Sequence, residues 1–357
     1  MYYYLVHLCM NCSNVCIYIL GNSDRRCAPP VKEHAKKITK RSPAMREWKE
    51  NGQRTCVASM SEGDFFSSEQ SYIMPKAGKV NISLHQSNGT SKILKEALTI
   101  QANEVIDATC MKKSALCDFF EKEMQDCFEK KLMMSLHLKA TMMKISDPII
   151  FGHCVKIYYK DVFAKHADLF TKLKVNANNG IGDVYEKIKG HIQEKEVKED
   201  IEKTYKSRPG LAMVDSNNGV TNLHVPSNVI IDASMPNVVR DGGQMWNKND
   251  KLEEVKCIIP DRCYSKIYEA IIKDCQAKGQ FDWTTSGHVS NVGLMAQKAE
   301  EYGSHDKTYE SPCNGKIVVT DETDNVIFSH SVDEGDIWRM CQTKDLPIGK
   351  VIYLFHY

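Results

Sequence analysis

The chain has 357 residues, of which 42% are hydrophobic and 26% charged, and 47 Lys+Arg against 46 Asp+Glu give a net charge of +1. That length supports one large domain or two ordinary ones, and the composition excludes wholesale disorder and collagen-like or low-complexity character. The even charge balance excludes the global basic excess of a nucleic-acid binder.

The first 20 residues look foreign to the rest of the chain. MYYYLVHLCMNCSNVCIYIL precedes the first charge, Asp24. It lacks a basic n-region and a cleavage site, and Asn11, Ser13 and Asn14 interrupt it, so no membrane role is expected. His7, Cys9, Cys12 and Cys16 have loose metal-ligand spacing, but no second pair follows at finger spacing. The 14 cysteines are scattered rather than framed. In a chain this long they read as free thiols in a reducing, intracellular compartment. GNSDRR then places Arg25 and Arg26 before a Pro-rich loop, and arginine forks suit carboxylates and phosphates. Solvated arginines are the plain alternative.

KVNISLHQSNGTSKILKEALTI reads as a β-hairpin near 79–101, because two β-rich runs flank Asn88-Gly89. KIVVTDETDNVIFSHSV repeats the design near 316–332. Similar contexts flank both, which points to an internally duplicated hairpin-plus-helix unit. Between them, SALCDFFEKEMQDCFEKKL predicts an amphipathic helix with Leu116, Phe119, Phe120 and Met124 along one side. LMMSLHLKAT follows as a strand, with Leu132, Met134, Leu136 and Leu138 facing one way and Ser135, His137 and Lys139 the other.

VKIYYKDVFAKHADLFTKL predicts one further helix. EKEVKEDIEKTYKSR predicts another with a solvated charged face, in which Glu194–Lys198, Glu199–Lys203 and Glu202–Lys206 can pair. Pro209-Gly210 ends it. LAMVD and NVIID read as short buried strands. YSKIYEAIIKDCQAKG and NVGLMAQKAEEYGSHDK read as helices stopped by Gly279 and Gly303. EGDIWRMCQTKDLPIG looks helix-like. The alternation of elements predicts an α/β architecture with helices covering a sheet.

Three residues stand out chemically. Lys139 ends a strand, where α/β proteins place ligand groups; it is an anion binder, a proton-transfer group or a plain surface lysine. Asp232 follows three apolar residues and is either a cation ligand at a strand's carboxyl end or a helix N-cap, since Ser234 and Pro236 also look like a helix start. Tyr302 falls in the last turn of its predicted helix. Gly180-Ile181-Gly182 is only a fragment of a G-x-G-x-x-G, and neither a P-loop nor H-E-x-x-H occurs.

Longer segments say more. GNSDRR, SLHLKATMMKISDPIIFGH, NNGIGDVYEKI, TNLHVPSNVIIDASMP, IPDRCY, NVGLMAQKAEEYGSHDKT and EGDIWRMCQTKD resemble the monomeric NADP-dependent isocitrate dehydrogenases. The resemblance implies an isocitrate/isopropylmalate-dehydrogenase-like substrate domain over residues 21–348. It implies oxidative decarboxylation of isocitrate with NADP and Mg²⁺ or Mn²⁺, in a cytoplasmic monomer with no nucleic-acid or membrane partner.

Carried over by position, Lys139 lies in the isocitrate site and takes part in proton transfer. Tyr302 is the acid that protonates the enol, Asp232 is a metal ligand, and Arg25 binds a substrate carboxylate. Family members are about twice as long. Upstream of GNSDRR this chain offers Ser13 and Asn14 but no matching Arg, and the family's large cofactor domain is expected to be absent. Residues 1–20 and 349–357 are expected to be a non-homologous leader and tail. The chain alone is therefore expected not to reduce NADP⁺. The alternative function is a non-catalytic binder of a divalent metal and a polycarboxylate.

Overall fold

The computed structural model describes residues 45–48, 50–139, 143–281 and 307–342. Cys56–Ala58 forms strand β1, and Asp64 opens a single helical turn, α1 (Phe65–Ser68), which leads into β2 (Gln70–Ile73). The first hairpin is β3 (Gly78–Gln86) and β4 (Ser91–Ile100), followed by β5 (Val105–Met111) and helix α2 (Lys113–Lys130). In its turn Gly89 takes a φ of 85°, which its missing Cβ permits. Leu116, Phe120, Met124 and Cys127 bury the inner stripe of α2.

Strand β6 (Met133–Leu136) comes next. The single helix expected over 155–173 is three: α3 (Ser146–Tyr158), α4 (Lys160–Lys165) and α5 (Ala167–Lys172). Tyr159 and His166, both with ψ above 20°, break the run. Helices α6 (Ile181–Ile188) and α7 (Glu194–Ser207) follow. On α7, Val197 and Ile201 are buried and Lys198 pairs with Glu194 at 2.6 Å, while Lys203 turns to Asp200 rather than Glu199.

Two expected strands differ. LAMVD gives only β7 (Met213–Asp215), paired with β8 (Val220–Thr221) in a small ribbon that leaves Val214 exposed. NVIID is not a strand at all: a 3₁₀ turn runs over Pro226–Val229, and helix α8 (Ile231–Arg240) starts inside the apolar run. A short apolar run carries no period long enough to separate strand from buried helix. The chain continues through β9 (Gln244–Trp246), β10 (Leu252–Ile258) and α9 (Arg262–Lys278), which Gly279 closes at a φ of 91°. After β11 (Lys307–Glu310) comes the second hairpin, β12 (Gly315–Asp321) and β13 (Val326–Val332). The segment read as helix-like then forms β14 (Ile337–Gln342). The helix expected around 291–303 lies outside the described residues.

These strands build three main sheets. In the first, β10 lies between β1 and β6, all parallel, with β9 antiparallel on β10. The other two are antiparallel, in the orders β11-β14-β5-β2 and β13-β12-β3-β4. Their facing sides share a core of Val80, Ile82, Leu84, Phe328, Trp338 and Met340, among others. Strand β14 is buried on both faces. Trp338 and Met340 enter that core, while Ile337 joins the larger one built by α2, α3 and their neighbours. No helix among the described residues is long and apolar enough to cross a membrane.

The parallel sheet is also covered on both faces. Met134, Leu136 and Leu138 pack towards α2 and α3, whereas Met133, Val255 and Cys257 pack towards α8 and α9. The predicted alternation of β6 therefore holds, but neither face meets water, as is usual for parallel strands. His137 is fully buried, and its Nδ1 lies 2.6 Å from Ser234 Oγ on α8. Ser234 Oγ donates to the Ile230 carbonyl at 2.9 Å, so the imidazole is the donor through Nδ1. Burial pushes the His137 pKa down to about 3.

Helices α1 and α9 exchange caps. Asp64, the N-cap of α1, accepts Ser67 N–H at 3.1 Å and the Arg262 guanidinium from Nε and Nη2 at 2.9 and 2.7 Å. Asp261, the N-cap of α9, accepts Cys263 N–H at 3.2 Å and Phe66 N–H of α1 at 3.3 Å. Burial opposes ionisation of Asp64, but the hydrogen bonds from Arg262 and Ser67 hold its carboxyl below the usual range.

Asp64→Ala removes a fully buried carboxylate and leaves Arg262 without its fork. We expect a loss of about 3 kcal/mol, read from urea unfolding; a loss below a few tenths would show that the exchange of caps is ornamental. His137 yields a pH prediction. The unfolded chain protonates it below its usual value of 6.5, and the native state does not until about pH 3. Stability is therefore lost as pH falls through that window. Between pH 6.5 and 4.5 the native protein should lose about 2 kcal/mol more than His137→Gln, since other groups cancel in the comparison. Equal losses would mean that His137 is not held neutral.

Candidate functional site

The site begins where β6 runs out. Leu138 N–H donates to the Val229 carbonyl at 2.7 Å, and Ile231 N–H donates to the Leu138 carbonyl at 2.8 Å. This parallel bridge between Leu138 and Ile230 ties the end of β6 to the start of α8. Lys139 then shares the parity of His137 and faces α8, where Asp232 is the second helical residue. The Lys139 ammonium donates to Asp232 Oδ2. The side chain of Lys139 is 18% exposed and that of Asp232 is 52% exposed, so the carboxylate keeps room for further partners.

Asp232 is thus not at a strand's carboxyl end. It sits in the first turn of a ten-residue helix, where the helix dipole favours a negative charge. Pro236 lies inside the same helix and has no N–H to give to the Asp232 carbonyl four residues back. Nor is Asp232 the N-cap: Ile230 holds that position, and the helix has begun before Ser234 and Pro236.

Beneath this pair lies a group of buried charges. Asp147, in the first turn of α3, accepts Lys139 N–H at 2.7 Å and Ser146 Oγ–H at 3.0 Å. Burial pushes its pKa up to about 6, against the pull of Arg339. Arg339, from β14, covers the Phe65 ring with its guanidinium carbon 3.7 Å from the centroid. Its Nη2 stands 3.8 Å from Asp261 Oδ2, and burial pushes the Asp261 carboxyl above its usual range. A cavity of about 10 Å³, the size of one water, is lined by Phe65, His137, Lys139, Asp147, Asp261 and Tyr264.

Lys139 and Asp232 were both singled out by sequence, and the structure brings them together. Arg25 and Tyr302 lie outside the described residues, as do His7, Cys9, Cys12 and Cys16. Asp147, Asp261 and Arg339 were missed. The available signal was a charged residue inside an apolar run, as in Ile337-Trp338-Arg339-Met340, because such a charge needs a buried partner.

His166, Glu196 and Asp200 form the one group of three potential metal ligands among the described residues. It is already neutralised. Lys165 reaches Glu196 at 2.8 Å and Asp200 at 2.7 Å, and Lys203 reaches Asp200 at 2.8 Å. His166 Nε2 is 2.9 Å from Asp200 Oδ2. Three donors around one carboxylate leave little acceptor capacity for a metal.

Comparison with known proteins bears on the family. Over 330 residues the chain is 49% identical to the NADP isocitrate dehydrogenase of Azotobacter vinelandii, covering 92% of this chain and 44% of that protein. It is 50% identical over 331 residues to isocitrate dehydrogenase (NADP) 2 of Mycobacterium tuberculosis, again covering 92% and 44%. A Corynebacterium glutamicum relative is 44% identical over 328 residues. The chain therefore spans about 44% of the length of these relatives. The family model described as monomeric isocitrate dehydrogenase matches residues 12–355. With nearly its whole length matched, and with Lys139 and Asp232 within that match, the chain belongs to the monomeric isocitrate dehydrogenase family.

Proposed function

We propose that this chain carries part of the substrate and metal site of an NADP-dependent enzyme that oxidatively decarboxylates isocitrate to 2-oxoglutarate and CO₂. The observation that carries this reading is the meeting of Lys139 with Asp232, 93 residues apart in sequence. Both come from segments that bear the family resemblance.

The donor chemistry fits a divalent cation. Asp232 presents a hard oxygen that is half in solvent, as Mg²⁺ or Mn²⁺ requires. Asp232 would be one ligand of that ion. When bound, the ion polarises a hydroxyl or carbonyl oxygen and stabilises developing enolate charge. By resemblance, Lys139 would bring a positive charge to a tricarboxylate and would hold or move the proton of the substrate hydroxyl. Its stem is shielded, so the ammonium acts from a fixed direction.

By resemblance, Arg25 would hold a carboxylate and Tyr302 would return a proton to carbon. The names of the relatives support NADP⁺ as hydride acceptor. Free thiols at all ten described cysteines support a reducing compartment such as the cytoplasm.

We also infer that the substrate-side domain, residues 21–348, is built on an internal duplication. The equivalence of neighbours supports it. Strands β3 and β12 pair antiparallel at the middle of one sheet, with β4 and β13 outside them. Strands β5 and β14 do the same in the other sheet, with β2 and β11 outside.

Two measurements test the functional reading. In calorimetry with Mn²⁺, isocitrate binding to the chain should weaken about tenfold or more in Asp232→Asn, with an unchanged thermal midpoint. Equal binding by the variant would remove Asp232 from the site. In the protein at the full length of its relatives, Lys139→Met should lower isocitrate-dependent NADP⁺ reduction by about 10²-fold without loss of folded signal. Weak isocitrate binding by the chain as given, with no NADP⁺ reduction, would favour the non-catalytic binder.

A further inference from the structure

The position of the Lys139 ammonium depends on its main chain. A lysine side chain has four rotatable bonds, and it points reproducibly only if its Cα is held. Three features hold it. Leu138, the preceding residue, is bonded on both sides, to Val229 and Ile231. The Lys139 carbonyl accepts Met143 N–H at 2.9 Å, and Asp147 N–H in turn donates to the Met143 carbonyl at 3.1 Å. The Lys139 N–H, which no strand partner takes, donates to Asp147 Oδ2 at 2.7 Å. Lys139 is thus fastened to α8 on one side and to the first turn of α3 on the other.

Asp147 is 4% exposed. A carboxylate so placed is costly unless its charge is answered. Arg339 of β14, itself packed on Phe65, offsets part of that cost through space, although burial still prevails and holds the carboxyl above its usual range. The other Asp147 oxygen accepts Ser146 Oγ–H. A short charge-assisted bond from a main-chain N–H is stronger than a neutral one, which suits a point that must not move.

We propose that Asp147 is a positioning residue: by accepting the Lys139 N–H it fixes the main chain from which the ammonium reaches Asp232. Its relevance to catalysis rests on the reading of Lys139 as a substrate-side group; the clamp itself does not. Displacement of a reacting group by an ångström can reduce turnover about 10²-fold, so a residue that touches no substrate can still set the rate.

The test is competitive acetylation of the full chain, with the label on each lysine read by peptide mass. Asp232→Asn sets the rate for an ammonium released from its partner. Asp147→Ala should raise Lys139 labelling about threefold towards that value. Asp147→Asn should keep the wild-type rate, because its amide oxygen can accept Lys139 N–H while its nitrogen donates to Ser146 Oγ. Lys160 and Lys256 should not change in either variant, whereas general loosening would raise them too. If Asp147→Ala does not fold, Asp147→Leu replaces it, filling the space with no acceptor.

An unchanged Lys139 rate in the Ala or Leu variant overturns the proposal. So does an Asn variant as reactive as the Ala variant, since charge rather than the hydrogen bond would then be in control. Isocitrate with Mn²⁺ should shield wild-type Lys139 from the label. Absence of shielding counts against the proposed function alone, and the ligand-free rates still decide the clamp.

Discussion

Leu138 exchanges main-chain hydrogen bonds with Val229 and Ile231, the two neighbours of Ile230, and this parallel bridge sets the register between the end of β6 and the start of α8. A slip by one residue would turn Lys139 to the opposite face, since strand side chains alternate. Asp232 would then face a different residue, and the His137–Ser234 contact would be lost. One pair of backbone contacts therefore determines the ion pair, the buried imidazole and the direction in which a half-exposed carboxylate looks. None of these needs a long strand. β6 has four residues, and it suffices because both of its faces are packed.

Buried charge holds the surrounding elements in place. Asp64 and Asp261 cap α1 and α9, and each also binds the other helix. Arg339 enters from β14 and lies against both Phe65 and Asp261. These ion pairs and caps add directional contacts to the close-packed apolar core. Removing one member of such a set strands a charge in a poor dielectric, which costs several kcal/mol, about as much as a large core truncation. The antiparallel sheet that holds β14, which already shares an apolar core with the parallel one through Met111 and Ile337, is thereby also keyed to the floor of the site.

How much of the structure is legible in the sequence depends on how far each signal reaches along the chain. Helices α2 and α9 were legible because a 3.6-residue stripe repeats over several turns. The hairpins were legible because Asn88-Gly89, and the polar residues between Asp321 and Asn325, can do little but turn. The parity of β6 was legible, and with it the face that carries Lys139. Asp232 was misplaced because Asn228 to Asp232 is too short to show a period, and the capping residue is Ile230 rather than a polar one. β14 reads as helix-like because all of its residues but one are buried, so its sequence shows no strand alternation. The pairing of Lys139 with Asp232 could not be read locally, because it depends on a bridge between two distant segments. Only the family resemblance placed both residues in one site.

Two groups in this protein set carboxylates against ammonium groups and have different prospects. Asp200 is surrounded by Lys165, Lys203 and His166, and its oxygens already accept from all three. Its neighbour Glu196 shares Lys165. That group is a closed structural network on α7 and the α4–α5 junction, and a cation would have to displace an ammonium that two carboxylates hold. Asp232 accepts from Lys139 on one oxygen, is half in solvent, and has a helix N-terminus behind it. Its remaining lone pairs are open to an incoming ligand. Counting acidic residues would rank the first cluster higher. Unused acceptor capacity, on a carboxylate that a positioned ammonium meets on one oxygen only, ranks the second.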